Sequence, residues 1–220
     1  MLENLIVPVL NRYDLLQSMV SSIDCDVEHL LIIDNGASLE ADRDEPLQIP
    51  DTIDEVTYLP MPANLGVAAS WNLGIKMFPY ADRWYFASND VVFHPNALQG
   101  LSQPDTGVIV LSDMFPHWQA FSLGYDAVRR VGLFDERFYP AYFEDTDYKR
   151  RAEHADVPIV RAQVPMDHQN SSTLKSNELF QSCNSRTFTV NMAYNGDKVS
   201  REDYGSGVWD VQVRRENGWE

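Results

Sequence analysis

Short apolar runs alternate with segments of helical period along most of this chain, the pattern of an α/β layered fold. The run "NLIVPVL" (4–10) is almost continuously apolar, as expected for a strand buried on both faces. After it, Leu15, Leu16, Met19, Val20 and Ile23 recur on one helical face, with Asp14 placed to cap the helix. "HLLIIDNG" (29–36) predicts a second strand closed by turn formers, and "EVTYLP" (55–60) a third beyond a polar, acidic loop over 37–53. A helix is expected from Gly66 to about Phe78, with Val67, Trp71, Gly74 and Ile75 on one side. Strands follow at "WYFAS" (84–88), "GVIVLS" (107–112), "QAFSL" (119–123) and "PIVRAQV" (158–164), with helices at 126–131 and 144–155. From about 174 the chain starts helically, then turns polar and Gly-rich. The expected architecture is one α/β domain over 1–173, a mostly parallel central sheet with helices on both faces. Residues 174–220 are expected to pack on it as a helix and tail.

Composition narrows the functions open to this architecture. The formal charge of −16 disfavours nucleic acid, whose binders draw affinity from Lys and Arg on phosphates. No apolar stretch approaches the roughly 18 residues needed to cross a bilayer. Cys25 and Cys183 show no motif spacing and fit reduced thiols, so a cytoplasmic location is expected. No repeats appear in the sequence.

The chemistry gathers at the predicted carboxyl ends of successive strands. The first strand ends in "NRYD" with no glycine, which excludes the usual dinucleotide turn, and no phosphate loop ending in Gly-Lys-Ser/Thr occurs. Asn11 and Arg12, Asp34 and Asn35, Asn64, and Asn89 and Asp90 instead end four strands in turn. Open α/β sheets bind ligands along that edge. Any one of these residues is a common turn former; four strands ending this way point to a site. The stretch "NLGVAASWNLGI" (64–75) keeps side chains small at a helix start framed by Asn64 and Asn72. Such a start can take a phosphate on its free N–H groups, or can simply pack closely on the sheet.

With these motifs in order, residues 4–173 resemble the family-2 glycosyltransferases of GT-A fold, especially the rhamnosyltransferase-like branch. "VPVLNR" (7–12) is similar to the opening strand of that family and "LLIIDNGA" (30–37) to its nucleobase motif. "NLGVAASWNLGI" matches its Asn/Gly helix start, and "FASNDVVF" (86–93) falls where an Asp-x-Asp metal motif belongs. "VGLFDERFYPAYFEDTDYKRR" (131–151) and "HQNSS" (168–172) resemble its two most specific signatures.

The resemblance implies Asp34 near a nucleobase, with Pro8, Asn11 and Arg12 beside it, and Asn64 and Gly66 near ribose and diphosphate. Asn72 and Asn89 join the donor-binding set. Asp90 matches the last aspartate of Asp-x-Asp, whereas Ser88 replaces the first. Asp90 and His168 would then hold Mn²⁺ or Mg²⁺, the remaining ligands coming from phosphate and water. In "FEDTD" (143–147), helical geometry puts Glu144 and Asp147 on one face and Asp145 on another. The resemblance assigns the catalytic base to Asp145 and a structural or acceptor-facing role to Glu144, while Asp135 reads as the cap of a turn. Trp118 and Phe121, and Trp209 and Trp219 in the tail, are candidates for stacking on a sugar.

The implied activity is metal-dependent, inverting transfer from a UDP-, dTDP- or GDP-linked sugar to a hydroxyl of a glycan, protein or small molecule. Two alternatives stay open. A non-catalytic sugar-nucleotide or glycan-binding protein would keep the fold, and a nucleotidyltransferase would use a similar sheet. The latter ordinarily carries a Gly-rich basic loop after its first strand, which "NRYD" does not supply.

Overall fold

Strict alternation of side chains along the strands builds two cores, one on each face of a seven-stranded sheet. In β1 (Leu5–Val9) and β2 (Val27–Asp34), Leu5, Val7, Leu30 and Ile32 face one side. Ile6, Leu31 and Ile33 face the other. Both sets are buried because helices cover both faces, which is why these strands read as unbroken apolar runs. The computed structural model describes residues 1–37, 39, 46–168 and 178–207.

The remaining strands are β3 (Ile53–Pro60), β4 (Arg83–Ala87), β5 (Val91–Phe93), β6 (Ile109–Ser112), β7 (Ala120–Gly124), β8 (Ile159–Ala162) and β9 (Met166–His168). The sheet runs β3-β2-β1-β4-β7-β6-β8, with β7 antiparallel to both neighbours and every other pairing parallel. Val9, Asp34 and Pro60 are paired in register, so three strands end level. Pairing of Ile6 with Phe86 brings Ser88-Asn89-Asp90 to the same edge. The sheet is thus the mostly parallel one the sequence predicts.

The helices are α1 (Tyr13–Ser21), α2 (Val67–Met77), α3 (Tyr125–Val131), α4 (Glu144–His154) and α5 (Glu178–Ser200). α1 packs Leu16, Met19 and Val20 into the first core, and α2 packs Ala68, Trp71 and Ile75 into the second. Gly74 is required there, since a Cβ would meet the Ile6 side chain at 2.6 Å. Asp14 does not cap α1. The cap position is Arg12, left-handed at φ 59°, and Asp14 lies inside the first turn, paired with the Arg12 guanidinium at 2.9 and 2.7 Å. A carboxylate there still complements the helix dipole.

One feature lies beyond the predicted elements. β5 and β9 form a separate antiparallel ribbon, with Val91 opposite His168. The tail helix α5 buries Asn191, Tyr194 in part, and Lys198. Among the described residues no helix is long and apolar enough to cross a membrane.

Candidate functional site

The edge where β1 to β4 end carries most of the predicted residues, and the structure gives them different work. Asp34 is fully buried, and both its oxygens are taken. Oδ1 accepts from the Tyr13 hydroxyl at 2.9 Å and the Gly36 amide at 3.0 Å; Oδ2 accepts from the Tyr58 hydroxyl at 2.6 Å and the Leu39 amide at 3.0 Å. Four bonds fill a carboxylate, so Asp34 organises the turn after β2 and has no vacant oxygen. Asn35 ties that turn to the next one, donating to Ser70 Oγ at 2.9 Å and accepting from the Leu65 amide at 2.8 Å. Pro8 is half-buried, opposite Ile33. Asn89 is buried and donates to the Asn11 carbonyl at 3.3 Å, joining the ends of β1 and β4.

The start of α2 is a packing device. Asn64 accepts from the Gly66 amide at 2.8 Å, and Gly66 sits at φ 81°. A Cβ on Gly66 would meet the Pro140 carbonyl oxygen at 2.8 Å and the Tyr139 ring at 3.0 Å. The Val67 amide donates to that same carbonyl at 2.7 Å. The loop at 139–140 therefore covers the helix start, and the small residues make room for it. Asn72 does not reach the edge: it is fully buried, donates to the Phe134 carbonyl and Glu136, and accepts from the Phe134 amide.

Asp90 and His168 do come together. The β5–β9 ribbon sets His168 opposite Val91, beside the residue that precedes β5. His168 Nε2 lies 3.3 Å from Asp90 Oδ1, each side chain 12% exposed. His168 Nδ1 is buried without a hydrogen-bond partner. An unpaired buried nitrogen asks for an explanation. Arg12 completes this corner. Its guanidinium is held protonated by the hydrogen bond to Asp14, against burial, with the Asp14 and Asp90 charges adding to it. One carboxylate and one imidazole fit a divalent cation that keeps phosphate and water ligands, and the nitrogen suits Mn²⁺ better than Mg²⁺. Among the described residues no group of three His, Cys, Asp or Glu is arranged for a metal. The Ser88 hydroxyl donates to Gln119 Oε1 at 2.6 Å.

The acidic turn at the start of α4 carries the remaining predicted carboxylates. Tyr142 and Phe143 both have positive φ, 77° and 75°, sparsely populated for such residues. Glu144 is 6% exposed with Oε2 unpartnered, and burial together with the Asp145 charge pushes its carboxyl up to about 8. The folded turn therefore favours its protonated form. Asp147 is fully buried between Arg150 at 3.0 Å, Arg151 at 2.8 Å and Lys198 at 2.9 Å. Asp145 alone of the three is not buried; its Oδ1 accepts from the Thr146 amide at 2.6 Å and hydroxyl at 3.2 Å. The divergence of Asp145 from Glu144 and Asp147 is as helical geometry predicts.

Trp118 is half-buried, against Phe121 at 4.8 Å and against Tyr148 of α4 at 6.1 Å. Phe121 is excluded from sugar stacking, being 1% exposed and stacked on Phe86 at 4.6 Å. Trp209, Trp219 and the "QNSS" stretch after His168 lie outside the described residues. Asp135 does more than cap a turn. Burial raises its carboxyl, but bonds from Arg137, Lys198 and Tyr194 outweigh this and hold it at about 2. Sequence reasoning missed Asn191 and Lys198, whose signal was a polar repeat at Asn191, Tyr194, Asn195 and Lys198.

No family model and no curated protein matches the chain. Solved structures do. One is GalNAc-T7 with UDP, GalNAc and Mn²⁺, at TM-score 0.59 and 9% identity over 76% of this chain and 44% of that one. Another is the mannosyltransferase PcManGT of Pyrobaculum calidifontis with GDP-Man and Mn²⁺, at 0.53 and 11% over 98% and 78%. A third is S. aureus TarS, at 0.55 and 14% over 74% and 35%. The chain thus spans less than half the length of the first and third. These likenesses establish the fold, that of the GT-A glycosyltransferases.

Proposed function

We propose that this chain is a metal-dependent, inverting glycosyltransferase of the rhamnosyltransferase-like branch, moving a sugar from a nucleoside-diphosphate sugar to an acceptor hydroxyl. The observation that carries this reading is the Asp90–His168 pair, assembled at the exit of β4 from segments far apart in sequence, on a GT-A sheet. Asp90 and His168 would hold Mn²⁺ or Mg²⁺, which when bound would supply positive charge to a departing diphosphate. Arg12 adds a fixed positive charge at the same corner, and Pro8, Asn11, Asn64 and Asn89 border the donor. Asp34 acts beneath the nucleobase through the turn it organises, because its own oxygens are occupied. Asp145, the unburied carboxylate of the acidic turn, takes the proton of the acceptor hydroxyl as that oxygen attacks the sugar. Trp118 offers a ring for the acceptor.

The test is a panel of UDP-, dTDP- and GDP-linked sugars incubated with Mn²⁺ or with chelator. Release of the nucleoside diphosphate from one donor, with Mn²⁺ and not with chelator, is expected; His168→Ala should weaken donor affinity and raise the metal requirement. Tight nucleotide binding with no turnover of any donor, with or without a sugar acceptor, would favour a sugar-nucleotide-binding protein instead.

A further inference from the structure

The tail helix α5 is amphipathic in the reverse sense. Its inward stripe is polar, Asn191, Tyr194, Asn195 and Lys198 at the i, i+3, i+4, i+7 spacing, while Phe188, Met192 and Val199 are exposed. A helix docked for core burial alone would show the opposite pattern. What the polar stripe touches is the segment 135–147 that carries the acidic turn, held at its start, middle and end.

At the start, Lys198 Nζ lies 2.8 Å from Asp135 Oδ2, and the Tyr194 hydroxyl donates to the same oxygen at 2.9 Å. At the end, the same ammonium lies 2.9 Å from Asp147 Oδ1 and is completed by the Gly205 carbonyl at 2.8 Å. In the middle, Asn191, 2% exposed, donates through Nδ2 to the carbonyls of Tyr139 at 3.2 Å, Ala141 at 2.9 Å and Tyr142 at 3.3 Å. Phe188 adds ring contacts to Tyr142 and Phe143, centroids 5.4 and 5.1 Å apart. From the other side, the Val67 amide takes the Pro140 carbonyl.

These anchors surround the two consecutive positive-φ residues that aim Glu144 and Asp145. Such backbone is costly for side-chain-bearing residues and persists only where neighbours over-determine it. A lysine alone could fasten α5 to α4, whereas Asn191 spends a buried amide on three carbonyls of the turn, those of Tyr139, Ala141 and Tyr142.

We infer that α5 is a positioning element of the catalytic apparatus, and that Asn191 is the positioning residue that fixes the direction of Asp145. The inference rests on the reading of Asp145 as the base.

The test uses Asn191→Leu, close in size but without a donor, in the full chain, with Asn191→Ser as a smaller variant that keeps one donor. Amides of 139–147, including the Asp147 amide that donates to the Phe143 carbonyl at 2.9 Å, should exchange with solvent on the order of 10–100-fold faster. Amides of β1 and β2 should change less than about twofold. Stabilisation by UDP with Mn²⁺ should be unchanged. For whichever donor the wild type turns over, kcat should fall about tenfold with donor KM within about twofold, the split expected when alignment and not binding is lost. Asn191→Ser should recover part of both effects. Wild-type exchange in the turn, or a loss confined to donor KM, would overturn the inference. If the wild type turned over no donor, the functional reading would fail by itself, and exchange in the turn would still decide whether Asn191 holds it.

Discussion

The Asp90–His168 pair and the Asp135–Lys198–Asp147 network are both acid–base clusters drawn from motif-bearing stretches, and they are built in opposite ways. In the network every group is buried and spoken for: Asp147 meets three cations, and the Lys198 ammonium has three oxygen partners. In the pair, His168 and Asp90 approach to 3.3 Å, both side chains keep some exposure, and an imidazole nitrogen is left unpartnered. Saturated carboxylates can hold a fold but have nothing left for a ligand. Unsaturated ones stabilise little and remain available. The same distinction separates Asp34 and Asp147 from Asp145, and it is invisible in the one-letter code.

The largest contrast lies in what each cluster does when one member is removed. Lys198→Met removes one shared cation and leaves Asp135 with Arg137 and Asp147 with Arg150 and Arg151, so unfolding free energy should fall by about 1.5–3 kcal/mol in urea titration. Survival of wild-type stability would mean the network is not the clamp it resembles. Asp145→Asn, outside the network, should leave urea stability and nucleotide binding intact while turnover with acceptor falls about 10²–10⁴-fold. Wild-type turnover in this variant would move the base elsewhere, and the buried Glu144 would be the next residue to test.

Stability against pH should separate the clusters again. Glu144 has its carboxyl raised from 4.5 to about 8, so the folded form favours the proton. Its stabilising effect is complete below pH 4.5 and is lost as pH rises through about 8. Glu144→Gln should flatten the alkaline limb of a melting-temperature profile; an unchanged limb would remove Glu144 as its cause. Asp135 is shifted the other way, from 3.8 to about 2, so its contribution is present above 3.8 and is lost as pH falls through about 2. Protection of α5 amides should fail over that acid window before that of β1 and β2. The smallest effect is expected from the partly exposed Asp90–His168 pair: without metal, Asp90→Asn should change stability by less than about 1 kcal/mol.

Much of the fold was legible because its strands are apolar runs and its first helices have apolar stripes. β1, β2, β4 and α2 fall within a residue or two of their predicted limits. The β5–β9 ribbon was not legible, since it joins two three-residue segments far apart in sequence and neither shows alternation long enough to read. A helix over this part of the tail was expected, but the residues by which α5 docks were not legible, because its buried face is polar and periodicity is ordinarily sought among apolar residues. At the site, residue types and strand-end placement could be read, but occupancy could not. Asn72 and Asp90 look alike as polar residues near the edge, and only the folded chain shows that Asn72 is spent on Phe134 and Glu136.

The central claim is that Asp90 and His168 hold a divalent cation together with a nucleoside diphosphate. The most direct measurement is the shift in melting temperature given by UDP, GDP and dTDP, each with Mn²⁺ or with chelator, in the wild type and Asp90→Asn. At nucleotide about 100-fold above its Kd the stabilisation should approach about 2.7 kcal/mol in the wild type with Mn²⁺. With chelator it should be markedly smaller, and in Asp90→Asn the Mn²⁺ and chelator values should coincide. A wild type stabilised equally with and without metal, or an Asp90→Asn variant that keeps the full metal-dependent increment, would contradict the assignment.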